Sequence, residues 1–152
     1  MIFVLAPCAA ALAAICSISP GWIMFMVLLL QFNDVFGYVF GKLFGKRHVF
    51  KQISPNKTLE GYLGSLLAVT AGTVLLYTLV PVLQGYPLTR CVPLAAYMFV
   101  FGNGGDLLFS VIKRGLHTKD FSGLLPGHGG VLDRFDSLLF TSPLLYLILQ
   151  QW

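Results

Sequence analysis

MIFVLAPCAAALAAICSISPGWIMFMVLLLQFN, residues 1–33, contains no Asp, Glu, Lys or Arg. One helix crossing a bilayer core needs roughly 20 mostly apolar residues. The run is interrupted only at Ser19-Pro20-Gly21, a turn signal. It therefore reads as a short Ala-rich segment to residue 18 and a second segment from Trp22 to about Phe40. A second charge-free run extends from Gly61 to Thr89. The chain as a whole is 57% hydrophobic and 11% charged, with mean hydropathy +0.80. Soluble domains average about 25% charged residues. These features predict an all-α, polytopic membrane helix bundle forming a single domain over residues 1–152, with about five transmembrane segments.

The N-terminal run has no Lys or Arg ahead of it and stays apolar past Trp22, so it is read as a retained helix rather than a signal peptide. Cys8, Cys16 and Cys91 lie in or beside apolar segments without CxxC or Cys/His ligand spacing, and are expected to be small buried residues. The net charge of +4 fits membrane topology. No basic stripe alternates with aromatics as nucleic-acid binding requires, so nucleic acid is not an expected partner.

Outward from the opening run, Asn33-Asp34 comes near the end of the second segment, and a carboxylate within an otherwise apolar helix is a functional candidate. Lys42 to Glu60 is a polar loop with six basic or His residues before its only acid, which places it in the cytoplasm. Ser54-Pro55-Asn56-Lys57-Thr58 reads as a turn into a helix, with Ser54 or Asn56 as its cap. The third span, Gly61 to about Leu83, has small residues at three- and four-residue spacing, the pattern for close packing in membranes. A fourth span begins near Leu94. Gly102-Asn103-Gly104-Gly105 is expected to weaken it. Asp106, Ser110 and Lys113 follow at helical spacing on one face. The last segment, Leu138 to Trp152, ends on an aromatic suited to the interface. This order puts the N-terminus and the loops 42–60 and 113–137 on one side, the cytoplasm.

Between the last two spans, 8 of the 16 charged residues fall within residues 106–136. Asp133 and Asp136 are spaced i, i+3, so a helix starting near Leu132 would put both carboxylates on one face. Like charges so close call for a cation between them. Oxygen donors suit Mg²⁺, which favours sites completed by substrate phosphates. Asp106 offers a third carboxylate, with Asp34 as a further candidate. Lys113, Arg114, Lys119 and Arg134 surround them with phosphate-binding charge. Pro126-Gly127-His128-Gly129-Gly130 is a glycine-rich loop whose backbone could approach an anion. Together these form a kit for phosphoryl or nucleotidyl transfer. A Ser hydrolase or a zinc site would use fewer of these residues and lacks its characteristic spacing.

The stretch Ser110, Lys113-Arg114, Lys119-Asp120, Ser122, Pro126, His128-Gly129-Gly130, Asp133-Arg134 and Asp136 resembles the signature of the phosphatidate cytidylyltransferases (CDP-diacylglycerol synthases). Asn33-Asp34 with Gly37-Tyr38, and Ser54 to Thr58 with Glu60-Gly61, also look like that family. The resemblance implies a catalytic membrane domain that joins CTP and phosphatidate to give CDP-diacylglycerol and pyrophosphate. It implies a homodimer and a metal centre on Asp106, Asp133 and Asp136, with Mg²⁺ and K⁺ as candidate ions. Catalytic roles are expected for Lys113, Arg114, Lys119, Asp120, His128 and Arg134. Substrate phosphates are expected at Ser54, Lys57, Thr58, Ser110, Gly129 and Gly130. Family members are usually longer, with additional N-terminal helices, and this chain resembles their C-terminal portion. The expected setting is a bacterial inner membrane with the site facing the cytoplasm. The alternatives are a CTP-dependent enzyme acting on another lipid, such as an isoprenoid-type cytidylyltransferase or a lipid kinase, and a non-catalytic membrane subunit or fragment.

Overall fold

The structure is a computed structural model and describes residues 2–50, 54–115 and 132–151. Its elements run α1 (Ile2–Ile18), α2 (Pro20–Phe44), β1 (His48–Phe50), β2 (Ser54–Thr58), α3 (Leu59–Leu79), α4 (Pro81–Gln84), α5 (Leu88–Gly115) and α6 (Leu132–Gln150). Among the described residues, three helices, α2, α3 and α5, are long and apolar enough to cross a membrane, and two shorter apolar helical stretches, Ala6–Ile18 and Ser137–Gln150, accompany them. The chain is an all-α polytopic membrane protein with one small hairpin.

Local chemistry sets the helix ends. Ser19 has extended backbone, and its hydroxyl oxygen accepts from the Gly21 N–H at 3.3 Å while Pro20 occupies the first helical turn of α2. The sequence break at this point is thus a helix start. At 25 residues, α2 is roughly 37 Å long and runs past the expected Phe40 to Phe44. Helix α3 is capped by Thr58, not by Ser54 or Asn56: the Thr58 hydroxyl accepts from the Gly61 N–H at 3.2 Å. It stops at Leu79 rather than Leu83 because Pro81 starts a new turn. Helix α5 begins at Leu88 instead of Leu94, and it passes unbroken through Gly102 to Gly105.

The expected weak point is a packing site. A side chain at Gly102 would meet Leu30 of α2 at 2.6 Å, and one at Gly105 would meet Phe140 of α6 at 2.9 Å. These glycines let α5 approach two neighbours, and the gain in contact offsets their low helix propensity. The α2–α3 pair packs most extensively, by the same device. A methyl group at Gly61 would lie 2.7 Å from the Gly37 carbonyl oxygen, and one at Gly64 would run into the Phe40 side chain.

The interior gathers Trp22, Phe25, Met26 and Leu29 from α2 with Val69, Leu76, Leu94, Met98 and Leu145 from the other helices. Leu63, Leu67, Val74, Leu75 and Leu79 of α3 face outward, as lipid-facing residues do. Side-chain bonds to carbonyls tie the short helices in. The Tyr97 hydroxyl donates to Thr141 O at 2.5 Å, and the Ser142 hydroxyl donates to Cys8 O at 2.9 Å. Cys8 and Cys91 are buried as expected, but Cys16 is exposed, because it lies on the outer side of α1. No disulfide joins them.

Candidate active site

The polar loop before α3 is built rather than open. Strands β1 and β2 pair antiparallel, His48 opposite Thr58 and Phe50 opposite Ser54, with an irregularity between. Glu60, in the first turn of α3, accepts the backbone N–H groups of Lys46 and Arg47 at 3.1 and 3.2 Å. The Leu59 N–H donates to Arg47 O at 2.9 Å. These bonds fold the hairpin back along the last turns of α2, where Gly41 and Gly45 leave room for Thr58. Lys57, at the end of β2, is thereby turned toward the bundle.

Its ammonium group meets the Asp106 carboxylate at 2.5 Å and lies 5.7 Å from the centre of the Tyr62 ring. Asp106 is nine residues before the end of α5, so it lies roughly 13 Å below that end. Asp34 is ten residues before the end of α2, a similar depth of roughly 15 Å. Both acids line one cavity of about 230 Å³, together with Asn33, Lys57, Thr58, Tyr62 and Asn103. The floor is a polar network. Asn103 Nδ2 donates to Asn33 Oδ1 at 2.8 Å and to Phe99 O at 2.9 Å, and Asn33 Nδ2 donates to Asp34 Oδ1 at 3.1 Å. Asn33 is only 3% exposed, and this pairing satisfies an amide that burial would otherwise penalise.

The residues singled out in the sequence fall into three groups. Asp34, Lys57, Thr58 and Asp106 come together around the cavity. Ser110 and Lys113 continue the half-buried face of α5 beyond Asp106, while Arg114 is exposed. Asp133 and Arg134 lie in the first turn of α6, with Asp136 just after it, and the helix begins at Leu132 as expected. Their side chains, and that of Ser54, lie outside what is described. Lys119, Asp120, His128, Gly129 and Gly130 lie wholly outside the described residues. The backbone still places the start of α6 beside Asp106. Ser137 Cα would be 3.2 Å from a methyl group at Gly105, so the residues following Asp136 and preceding Asp106 are in close contact.

Asn103 and Tyr62 were not legible as site residues. Asn103 stood among glycines that suggested a break, and Tyr62 stood in an apolar run. The Tyr62 hydroxyl is buried without a hydrogen-bond partner among the described residues. For a metal, Asp106 and Asp34 supply the hard oxygen donors that Mg²⁺ takes, and Asp106 already holds a cation in Lys57. Among the described residues no group of three acids, His or Cys is close enough to form a full ligand set.

Proteins of known name are similar to this chain over most of its length. A phosphatidate cytidylyltransferase of Bacillus subtilis (strain 168) is 40% identical over 129 residues, covering 84% of this chain and 47% of that protein. Phosphatidate cytidylyltransferases of Staphylococcus epidermidis and Aquifex aeolicus are 40% and 39% identical, over 86% and 87% of this chain and 49% and 48% of their own length. The chain thus spans about half the length of the curated relatives it matches. The model of the cytidylyltransferase family matches residues 1–152. With its cavity of acids and a lysine at the cytidylyltransferase-like motifs, and with that match over its full length, the chain belongs to the cytidylyltransferase family.

Proposed function

We propose that the chain carries the nucleotide and metal site of an enzyme that transfers the cytidylyl group of CTP to phosphatidate. The products are CDP-diacylglycerol and pyrophosphate. The observation that carries this reading is the Lys57–Asp106 pair inside a polar cavity between membrane-spanning helices. It sets a cation of the kind that suits phosphate beside a carboxylate of the kind that suits a metal, which supports this reading. The relatives named as phosphatidate cytidylyltransferases supply the lipid substrate class.

A phosphatidate oxygen attacks the α-phosphorus of CTP. A new P–O bond forms there, the bond from the α-phosphorus to the bridging oxygen breaks, and pyrophosphate departs with that oxygen. The attacking phosphate monoester has its second pKa near 6, so it is already an anion at neutral pH and needs no strong base. The barrier lies in bringing two anions together and holding them in line. Lys57, Lys113, Arg114, Lys119 and Arg134 would hold phosphates, with Ser54, Thr58, Ser110 and the Gly129-Gly130 backbone as further donors. His128 is better suited to contact phosphate than to act as a base. Asp106, Asp133 and Asp136 would hold Mg²⁺, with K⁺ a candidate second ion. When bound, the ion supplies neutralising charge on the triphosphate.

The same reading puts the site at the cytoplasmic face of a bacterial inner membrane, since the sequence joining α2 to α3 carries Lys42, Lys46, Arg47 and Lys51. It also takes the working form to be a homodimer. The test is purified protein in lipid nanodiscs with Mg²⁺, α-labelled CTP and a panel of lipid phosphates. CDP-diacylglycerol with stoichiometric pyrophosphate is the expected result. Free CDP with a phosphorylated lipid would replace the proposal with a lipid kinase. A CDP-lipid formed only with isoprenoid phosphates would change the substrate. No product with any lipid would leave a non-catalytic subunit.

A further inference from the structure

Asn103 Nδ2 is placed between two acceptors, the Phe99 carbonyl at 2.9 Å and Asn33 Oδ1 at 2.8 Å. A backbone carbonyl can only accept, so Phe99 fixes which end of the Asn103 amide points inward. That in turn requires Asn33 to present its oxygen to Asn103. The Asn33 nitrogen is then the atom left to face Asp34, and it donates to Asp34 Oδ1 at 3.1 Å. A direction set by the backbone of α5 is passed through two amides to a carboxylate on α2. Asn103 is also one turn before Asp106 on α5, so the relay and the Lys57–Asp106 pair share one helix and one cavity.

We propose that Asn103 is a positioning residue: by fixing the direction of the Asn33 amide, it sets the Asp34 carboxylate in the cavity shared with Lys57 and Asp106. The claim that this matters for turnover rests on the cytidylyl-transfer reading. The relay itself does not, and the two can be separated.

The decisive variant is Asn103→Asp. It keeps the shape but replaces the donor with an acceptor. Asn33 must then turn its nitrogen toward position 103 and its oxygen toward Asp34, where two acceptors meet. In an Asp34→Asn background the conflict disappears, because the new amide can donate to the turned Asn33. The first readout is thermal unfolding of the full chain in detergent, as a double-mutant cycle. Members of one hydrogen-bond network couple, and a coupling of about 3 °C or more is expected. Asn103→Asp should therefore lower the midpoint in the wild-type background and much less in Asp34→Asn. Additive shifts would overturn the proposal even if the protein is inactive.

The second readout is turnover of CTP. Asn103→Asp should lower kcat about tenfold or more with little change in KM for CTP, and Asn103→Gln, which restores a donor, should recover part of that loss. Wild-type kcat in Asn103→Asp would overturn the positioning role while leaving cytidylyl transfer standing. An inactive wild-type chain that still shows the coupling would overturn cytidylyl transfer and support the relay.

Discussion

Lys57 and Asp106, 49 positions apart, meet at 2.5 Å between the hairpin and α5. Their side chains are 20% and 37% exposed, so the pair is neither fully screened nor fully desolvated. A cation and an anion held this way stabilise the cavity between them.

Replacing Lys57 by Met should leave Asp106 without its cation and cost about 1–2 kcal/mol of stability. Asp106→Asn should cost a similar amount. The double variant should recover most of the loss, because neither site then carries a lone charge. Turnover should fall at least 100-fold in all three. Melting curves and CTP assays on the four proteins check this. A double variant as unstable as the sum of the singles would show that the pair contributes nothing.

Gly61→Ala forces a methyl group to within 2.7 Å of the Gly37 carbonyl oxygen. Backbone cannot rotate away as a side chain can, so α3 must shift from α2. The expected cost is about 1–3 kcal/mol, read as a lower unfolding midpoint. Because Gly61 and Gly37 both line the cavity, CTP turnover should fall as well.

Glu60 holds the hairpin by accepting from Lys46 and Arg47 N–H. Glu60→Ala should free that segment while leaving the helix core intact. Trypsin cleavage after Lys46 and Arg47 should accelerate several-fold with little change in the unfolding midpoint. Turnover should drop, since the same hairpin carries Lys57. Unchanged cleavage would mean that strand pairing alone secures the loop.

Asp133→Asn should lower metal-dependent CTP turnover by about 100-fold or more, in line with losses from electrostatic groups at reacting centres. Titrating Mg²⁺ should show a weaker apparent affinity in the variant. Turnover at the wild-type rate would remove Asp133 from the metal set.

The helices were legible because their cause is local. Charge-free runs of span length announce α2 and α3, Ser19-Pro20 announces the start of α2, and the i, i+3 pair Asp133 and Asp136 sits in a helix that begins where expected. The family was legible too, since its motif is contiguous. Where local rules compete, the structure departs from what the sequence predicts. Ser54, Asn56 and Thr58 are all good caps, and only the strand pairing of β2 decides for Thr58. The glycines at 102–105 lower helix propensity in isolation, yet Leu30 and Phe140 make them contact points in an unbroken α5.

What the sequence determined by itself is the class of the protein and its inventory: apolar helices, with acids and cations concentrated in residues 106–136. What only the tertiary structure decided is which of these meet. Lys57 reaches Asp106 because the hairpin folds back along α2, and Asn103 reaches Asn33 because Gly102 lets α5 come close. Both contacts depend on where helices cross, and a crossing is set by the shapes of two surfaces far apart in the chain.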